Sequence, residues 1–190
     1  MDIYLIDQIL KGRYVPGQHV LDAGAGAGRN LNWFLHEDFQ VSACDREAER
    51  EDVLKARYPG SKVHWSTCDV SKMPYPNAQF DHVICNAVLH FADDTEHFHG
   101  MWNELIRVLR PKGSLFIRMT SDIGIAQRVE SLGHGRYLLP DGSERFLLSN
   151  ALWSQLKSKD EVDELEPMKS VNVADQRVMS TLVLVKKVLE

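Results

Sequence analysis

Residues 19–29 read His-Val-Leu-Asp-Ala-Gly-Ala-Gly-Ala-Gly-Arg, so an apolar run ends in an acid and is followed by three glycines at alternate positions. Glycine has no Cβ, so the chain can turn there with positive φ and a ligand can approach the main chain closely. Leu31, Phe34 and Leu35 follow at helical spacing, which places a helix N-terminus with free N–H groups after the turn. Strand, glycine turn and helix form the first unit of a nucleotide-binding α/β fold.

The glycine spacing separates two kinds of nucleotide site. A dinucleotide site requires G-x-G-x-x-G, whereas here the third glycine comes one place early and Arg29 occupies the position where helix and strand should touch. The pattern therefore argues against a nicotinamide cofactor. A tight strand-to-helix turn that binds no ligand is the simpler alternative.

Composition narrows the class of protein. With 190 residues the chain can build one substantial core, and we expect a single domain over residues 1–190. A net charge of −5 provides no basic surface for nucleic acid. No apolar run reaches the roughly 18 residues of a membrane span, and residues 1–7 carry two acids where a signal peptide is positive, so we expect a cytoplasmic protein without a membrane partner. Cys44, Cys68 and Cys85 contain no C-x-x-C pair, which predicts reduced thiols and no metal site.

Helices and strands alternate up to Thr120. The periodicity predicts helices over residues 2–10 and 47–57 and a longer helix that residues 110–113 terminate. The apolar stripe of that longer helix consists of Phe98, Met101, Trp102, Leu105, Ile106 and Leu109. After the first strand, further strands are predicted over residues 40–44, 63–66, 80–87 and 114–119. Repeated β–α units imply a parallel sheet with helices on both faces, a doubly wound α/β fold.

The pattern changes after Thr120. Residues 136–148 contain two strand-like arms around Asp141-Gly142, which predicts a hairpin. Ser149 or Asn150 can cap a helix that runs to about residue 157. Residues 166–173 and 177–188 are predicted as two strands, and their short connection requires an antiparallel pair.

Five motifs in order along the chain carry a family resemblance. They are Val20–Gly28, Asp45, Cys68-Asp69-Val70, the segment from Phe80 to Phe91, and Leu109–Gly113. On these motifs the chain resembles a class I S-adenosylmethionine-dependent methyltransferase of the small-molecule type, similar to ubiquinone-biosynthesis and tellurite-resistance methyltransferases. The resemblance implies a Rossmann-like seven-stranded sheet, mostly parallel, with an antiparallel C-terminal strand.

The resemblance also implies S-adenosylmethionine as cofactor, with S-adenosylhomocysteine as its product, and assigns parts of the cofactor to residues. Asp22 and the glycine-loop backbone would hold the amino-acid end, Arg46 would flank the adenine, Asp69 would accept from the exocyclic amine, and Val70 would donate a backbone N–H. Asn30 and Asn86 fall at the predicted pocket rim. The full predicted cofactor-binding set is Asp22, Ala23, Gly24, Gly26, Gly28, Asn30, Asp45, Arg46, Asp69, Val70 and Asn86.

Asp45 is also indicated by spacing alone. It lies 21 positions after Gly24, close to the roughly 20 at which an acid accepts hydrogen bonds from ribose hydroxyls. Each assignment has an alternative without a ligand. In that alternative Asp45 caps a helix, Asp69 begins a turn, and Arg46 is a solvated charge at the start of a helix.

The expected reaction needs few catalytic groups from the protein. A sulfonium already activates its methyl group, so the enzyme mainly aligns the acceptor. His90 is the candidate general base, since histidine titrates near neutral pH, and a packing or rim role is the alternative. His97 and His99 are interpreted as solvated helix positions.

Residues 121–148 form the predicted substrate lid. Its polar and aromatic side chains would bind an anionic or aromatic small-molecule acceptor, or would only lie on the surface of a hairpin without binding a ligand. They are Arg136, Tyr137 and Arg145. Larger family members place extra helices before the first strand, so the pocket here is expected to be more open. A protein that binds the cofactor without turnover, as a sensor or partner subunit, is the alternative function.

Overall fold

The computed structural model describes residues 1–188, and a seven-stranded sheet forms its centre. Strand order in this sheet is β3-β2-β1-β4-β5-β10-β9. Its strands are β1 (His19–Ala23), β2 (Gln40–Asp45), β3 (Val63–Thr67), β4 (Phe80–Asn86), β5 (Leu109–Ser121), β9 (Val162–Val173) and β10 (Arg177–Lys186). Strands β1 to β5 are mutually parallel, and β10 runs antiparallel to both β5 and β9. The predicted α/β sheet with its antiparallel C-terminal strand is confirmed.

Five α-helices connect and cover these strands: α1 (Ile3–Leu10), α2 (Asn32–His36), α3 (Glu49–Arg57), α4 (Thr95–Val108) and α5 (Asn150–Ser158). Two 3₁₀ turns occupy Leu89–Phe91 and Ala126–Arg128. Side-chain caps start three of the helices, because an oxygen of the preceding residue accepts an orphan N–H of the first turn. The capping residues are Asp2, Asp94 and Ser149. No helix in residues 1–188 is long and apolar enough to cross a membrane.

Successive side chains of the central strands point to opposite faces of the sheet, so the core has two layers. Leu21 and Leu115 join the cluster under α4 and α5, which contains Trp102 and Trp153. Their sequence neighbours Val20 and Phe116 join the opposite cluster, which includes Leu5 of α1, Phe34 of α2 and Leu54 of α3. The sheet is therefore covered on both faces, as a doubly wound fold requires.

Strand β5 is longer than predicted, since it begins at Leu109 instead of Ser114. Residues 110–113 form a bulge opposite β4, where the register shifts between Phe80 and His82. Lys112 has a φ of +64°, and a Cβ on Gly113 would lie 2.7 Å from the Asp81 carbonyl oxygen. The predicted turn is present, but it is built into the strand because both flanks stay paired to β4.

A second, three-stranded antiparallel sheet follows β5. It consists of β6 (Glu130–Gly133), β7 (Arg136–Leu138) and β8 (Glu144–Phe146). The predicted hairpin around Asp141-Gly142 is present as β7–β8. Strand β6 was not predicted, because all four of its residues are exposed and show no apolar alternation. Phe146 anchors this small sheet by stacking on Phe98 of α4, with ring centroids 4.6 Å apart.

Candidate functional site

The glycine loop after β1 uses its glycines for different purposes. Gly24, Gly26 and Gly28 all have positive φ, and the backbone N–H of Gly24 donates to the Cys44 carbonyl over 2.9 Å. A Cβ on Gly24 would overlap Val88, and one on Gly28 would crowd Leu54. A Cβ on Gly26 would meet nothing within 4 Å. Gly26 is therefore the point where the main chain lies open to a ligand.

The helix after this loop starts later than predicted. Helix α2 begins at Asn32 and has five residues, and Leu31 before it makes no side-chain cap. Residues 28–31 are turns closed by hydrogen bonds such as Leu31 N–H to the Gly28 carbonyl. The main-chain groups facing the ligand side thus belong to the loop itself.

A cavity of about 330 Å³ opens at the carboxyl ends of β1, β2 and β4. Six residues of the predicted cofactor-binding set line it: Gly24, Gly26, Asp45, Arg46, Asp69 and Val70. Apolar walls come from Val88, Phe91 and Met101. Open α/β sheets bind ligands where the strand order reverses, and here the order reverses between β1 and β4.

Asp45 joins the glycine loop to the following segment. Its Oδ2 accepts the Gly26 N–H over 2.8 Å, and its Oδ1 accepts the Glu47 N–H over 3.1 Å. Helix α3 starts only at Glu49, after Ala48, so Asp45 does not serve as its cap. The carboxylate fixes the loop at the open position of Gly26.

Asp69 lines the cavity and is held by two donors. Its Oδ1 accepts the Ser71 N–H over 2.8 Å and faces His97 Nε2 at 3.1 Å. Burial acts to raise the pKa of Asp69, but the hydrogen bonds from Ser71 and His97 bring it below its usual value. The carboxylate is therefore ionised and ready to accept from a ligand amine.

His97 is a site residue that the sequence interpretation missed. The sequence predicts a solvated helix position for it, but it lines the cavity and its side chain is only 16% exposed. Its Nδ1 accepts the Asp93 N–H over 3.2 Å, which leaves Nε2 as the donor to Asp69. His97 lies in the first turn of α4, three residues after Asp94, and no local pattern of the sequence indicates its contact with Asp69.

Asp22 lies at the end of β1 and is 1% exposed. Within residues 1–188 its Oδ2 has no hydrogen-bond partner. Burial raises the pKa of Asp22 to about 7, although the nearby Arg29 acts in the opposite direction. Asp22 is not among the described residues that line the cavity, but a buried carboxyl with an unpaired oxygen at this end of the sheet can accept from a ligand.

Asn30 and Asn86 are buried beside the cavity and contact other parts of the chain. Asn30 Oδ1 accepts the Asp2 N–H over 3.1 Å, and Asn86 Oδ1 accepts from Arg29 Nη2 over 3.3 Å. Asn86 Nδ2 is without a partner in the described part of the chain. Neither side chain is among the described residues that line the cavity.

His90 is buried in the 3₁₀ turn over Leu89–Phe91. Its Nδ1 accepts the Thr120 N–H over 3.3 Å, and its ring packs edge-on against Phe91. Burial, with the positive charges of Arg145 and Arg177, lowers the pKa of His90 to about 3. His90 is not among the described residues lining the cavity, so this geometry favours the packing role that was the alternative.

The predicted acceptor residues lie on the small sheet. Arg136 pairs with Glu144 over 2.9 Å, and Tyr137 is half-buried on β7. The Arg145 guanidinium lies 4.8 Å from the centre of the Phe91 ring, which lines the cavity. Of the three, Arg145 is linked to the cavity wall by a described contact. Within residues 1–188 no group of His, Cys, Asp or Glu is placed to hold a metal ion.

The family model described as "Methyltransferase domain" matches residues 21–117, just over half of the chain. The chain belongs to this methyltransferase family. Its recognition as a class I S-adenosylmethionine-dependent methyltransferase is thereby confirmed. The matched residues begin within β1 and contain β2 to β4, the glycine loop and the cavity-lining acids.

Curated relatives of this methyltransferase match about half of the chain. The ubiquinone/menaquinone biosynthesis C-methyltransferase UbiE of Desulfotalea psychrophila is 29% identical over 102 residues, which are 52% of this chain and 40% of that protein. The tRNA (carboxymethyluridine(34)-5-O)-methyltransferase alkbh8 of Xenopus tropicalis is 32% identical over 53% of this chain and 15% of its own length. The chain thus spans well under half the length of these relatives.

Solved structures share the fold. A SAM-dependent methyltransferase of Methanosarcina mazei superposes with a TM-score of 0.77 at 17% identity, covering 96% of this chain and 98% of that one. The Burkholderia thailandensis 1,6-didemethyltoxoflavin-N1-methyltransferase, solved with 1,6-didemethyltoxoflavin and S-adenosylhomocysteine, gives 0.68 at 24% identity over 96% and 76%. At these identities the likeness concerns the fold.

Proposed function

We propose that this protein transfers a methyl group from S-adenosylmethionine to a small-molecule acceptor by in-line displacement. The observation that carries the proposal is the cavity over Gly26, where an open main-chain position lies beside the Asp45 carboxylate. A cavity of about 330 Å³ falls within the range of small-molecule sites.

The residues present fit the cofactor. Asp45 would accept from the ribose hydroxyls, Asp69 from the adenine amine, and Asp22, which has an unpaired oxygen within residues 1–188, from the amino-acid end. The Val70 N–H and the flanking Arg46 complete the adenine side as the family resemblance implies. When bound, this cofactor supplies a methyl group that its sulfonium has already activated.

The chain's own part in the reaction is alignment and exclusion of water. Val88, Phe91 and Met101 wall the cavity, and apolar walls strengthen the polar contacts that fix a bound ligand. His90 stays a candidate general base, but its Nδ1 would first have to release the Thr120 N–H. We therefore propose positioning, and not proton abstraction, as the main contribution of the protein.

A small acceptor is favoured over nucleic acid by charge and by the small sheet. The net charge of −5 disfavours binding of a nucleic-acid phosphate backbone. The Arg145 guanidinium packs over the ring of Phe91, a residue of the cavity wall. The relative that acts on tRNA matches over 15% of its own length. We further propose a single domain with residues 121–148 as its lid, in the cytoplasm, where Cys44, Cys68 and Cys85 stay reduced.

Calorimetry with S-adenosylmethionine and S-adenosylhomocysteine tests the proposal first. Asp45→Ala should weaken both ligands by about 10- to 100-fold, because it removes charged hydrogen bonds worth about 1.5–3 kcal/mol. Asp141→Ala is the matched control, since Asp141 also accepts the N–H two residues on, far from the glycine loop. Wild-type protein that gives no heat with either ligand would contradict the proposal.

Turnover is tested by incubating the protein with isotope-labelled donor and a metabolite extract and identifying the labelled product by mass. Transfer to a small molecule is the expected result. Binding of the donor without transfer to any fraction would favour the sensor or partner subunit instead.

A further inference from the structure

Asp2 forms an ion pair at the carboxyl edge of the sheet. Its Oδ2 lies 2.6 Å from Arg118 Nη1, and its side chain is 2% exposed. Arg118 is the β5 neighbour of Asn86, the last residue of β4, so the pair stands beside the segment that leads into the cavity wall. Burial acts to raise the pKa of Asp2, but the hydrogen bond and charge of Arg118 bring it below the usual value.

Unsatisfied polar atoms surround this pair. In residues 1–188, Arg118 Nε and Asn86 Nδ2 are buried donors outside hydrogen-bond geometry with any acceptor, although the Asn86 side chain is close enough to Asp2 to help lower the pKa of that carboxyl. Asp22 Oδ2 is a buried acceptor without a partner in the same residues. A buried donor that lacks a partner lowers stability, so a natural chain rarely keeps two together without a use. A guanidinium with a free Nε–H and one amide donor beside it can bind an oxygen anion.

To free the Arg118 guanidinium, the Asp2 side chain has to turn away from it. Helix α1 is fixed further along by Leu5, which is fully buried, and by the pairing of Lys11 and Arg13 with Glu166. Asp2 precedes these anchors. Its Oδ1 accepts the Tyr4 N–H at 2.9 Å, its Oδ2 pairs with Arg118, and its own N–H donates to Asn30 Oδ1 at 3.1 Å. An incoming anion competes directly with the Oδ2 contact.

We propose that Arg118 binds a carboxylate of the methyl acceptor, and that Asp2 occupies the guanidinium until that acceptor displaces it. This inference rests on the proposed function and adds its substrate class, an anionic acceptor with a carboxylate. A planar carboxylate matches the guanidinium geometry that Asp2 already uses. A phosphate would bring more negative charge against Asp22 at the same edge.

The test is a titration with acetate, acetamide and inorganic phosphate, followed by NMR of the arginine Nε–H and asparagine Nδ2–H signals. Uniformly ¹⁵N-labelled protein is used with and without S-adenosylhomocysteine, and Arg118→Gln assigns the Arg118 signal. Acetate should shift the Arg118 and Asn86 signals, whereas neutral acetamide should not. Phosphate that shifts them more strongly than acetate would overturn the choice of a carboxylate.

Asp2→Asn separates the two contacts of Asp2, because asparagine caps a helix as well as aspartate but lacks the charge. It should bind acetate about fivefold more tightly than wild type, as expected when an ion pair worth about 1 kcal/mol no longer competes. Arg110→Gln is the matched control, since Arg110 pairs with Asp81 at the opposite end of the same strand, and it should leave acetate binding unchanged.

Besides a stronger response to phosphate, two further outcomes overturn the inference. In the first, acetate leaves the Arg118 and Asn86 signals unmoved in Asp2→Asn. In the second, Arg118→Gln weakens S-adenosylhomocysteine by about tenfold or more, which would place Arg118 in the cofactor site. If the protein binds no S-adenosylhomocysteine, the proposed function is wrong. The titration without S-adenosylhomocysteine still tests whether Arg118 binds a carboxylate.

Discussion

Polar side chains at the two ends of the central strands differ in whether their atoms have hydrogen-bond partners. At the amino end of β4, both carboxylate oxygens of Asp81 are used, by the His19 N–H at 2.9 Å and by Arg110 at 2.7 Å. Both ring nitrogens of the adjacent His82 have partners, Ser114 and Gln18. At the carboxyl end, Asp22, Asn86 and Arg118 each keep a buried atom without a partner within residues 1–188.

This difference separates stability from binding. Paired polar groups hold the fold together, whereas unpaired ones lower stability unless a ligand satisfies them. Gln79, just before β4, is an exception at the amino end, since its Oε1 is also unpaired in the described residues. The carboxyl end nevertheless collects its unpaired atoms on three neighbouring strands beside one cavity.

The largest expected effect is at the carboxyl end. Asp22 is ionised above pH 3.8 when unfolded but only above about 7 when folded, so its burial costs stability that grows as pH rises through this window. Asp22→Asn should therefore raise the free energy of unfolding at pH 8 by up to about 4 kcal/mol, with no gain near pH 4. Urea denaturation at both pH values, with calorimetry of S-adenosylhomocysteine, measures the gain and the expected loss of affinity. An equal gain at both pH values would contradict it.

The amino end should respond to acid in the opposite direction. Burial lowers the pKa of His82 to about 4, from 6.5 when unfolded, so its stabilising neutral form is lost as pH falls from 6.5 to 4. The loss should reach about 3 kcal/mol, and His82→Gln should remove this part of the acid dependence. Urea denaturation between pH 7 and pH 4 measures it, with exposed His64→Gln as control. Parallel curves for wild type and His82→Gln would refute the assignment.

The smallest expected effect sharpens the contrast between the ends. Asp81→Asn should cost about 1–2 kcal/mol of stability, because a half-buried carboxylate loses its charge toward Arg110 and the His19 N–H. Affinity for S-adenosylhomocysteine should stay within about twofold of wild type. Denaturation and calorimetry on the same sample check both statements. A clear loss of affinity would show that the amino end also serves binding.

Sequence reasoning located the cavity because its markers are local. The glycine loop follows β1, Asp45 ends β2, and Asp69 comes two residues after β3, so strand prediction alone brings them to one edge of a parallel sheet. Contacts between distant segments were out of reach. His97 meets Asp69 across 28 positions, and Asp2 meets Arg118 across 116. Nothing in the local pattern of either pair indicates its partner.

By itself, the sequence determined the alternation of strands and helices, the open glycine loop and the family. These depend on periodicity and backbone conformation, which act over a few residues. Only the tertiary structure decided which polar atoms are paired and which stay idle: Asp22, Asn86 and Arg118 on one side, Asp81 and His82 on the other. That outcome depends on burial and on side chains arriving from distant segments, and it separates the binding edge of the sheet from the supporting one.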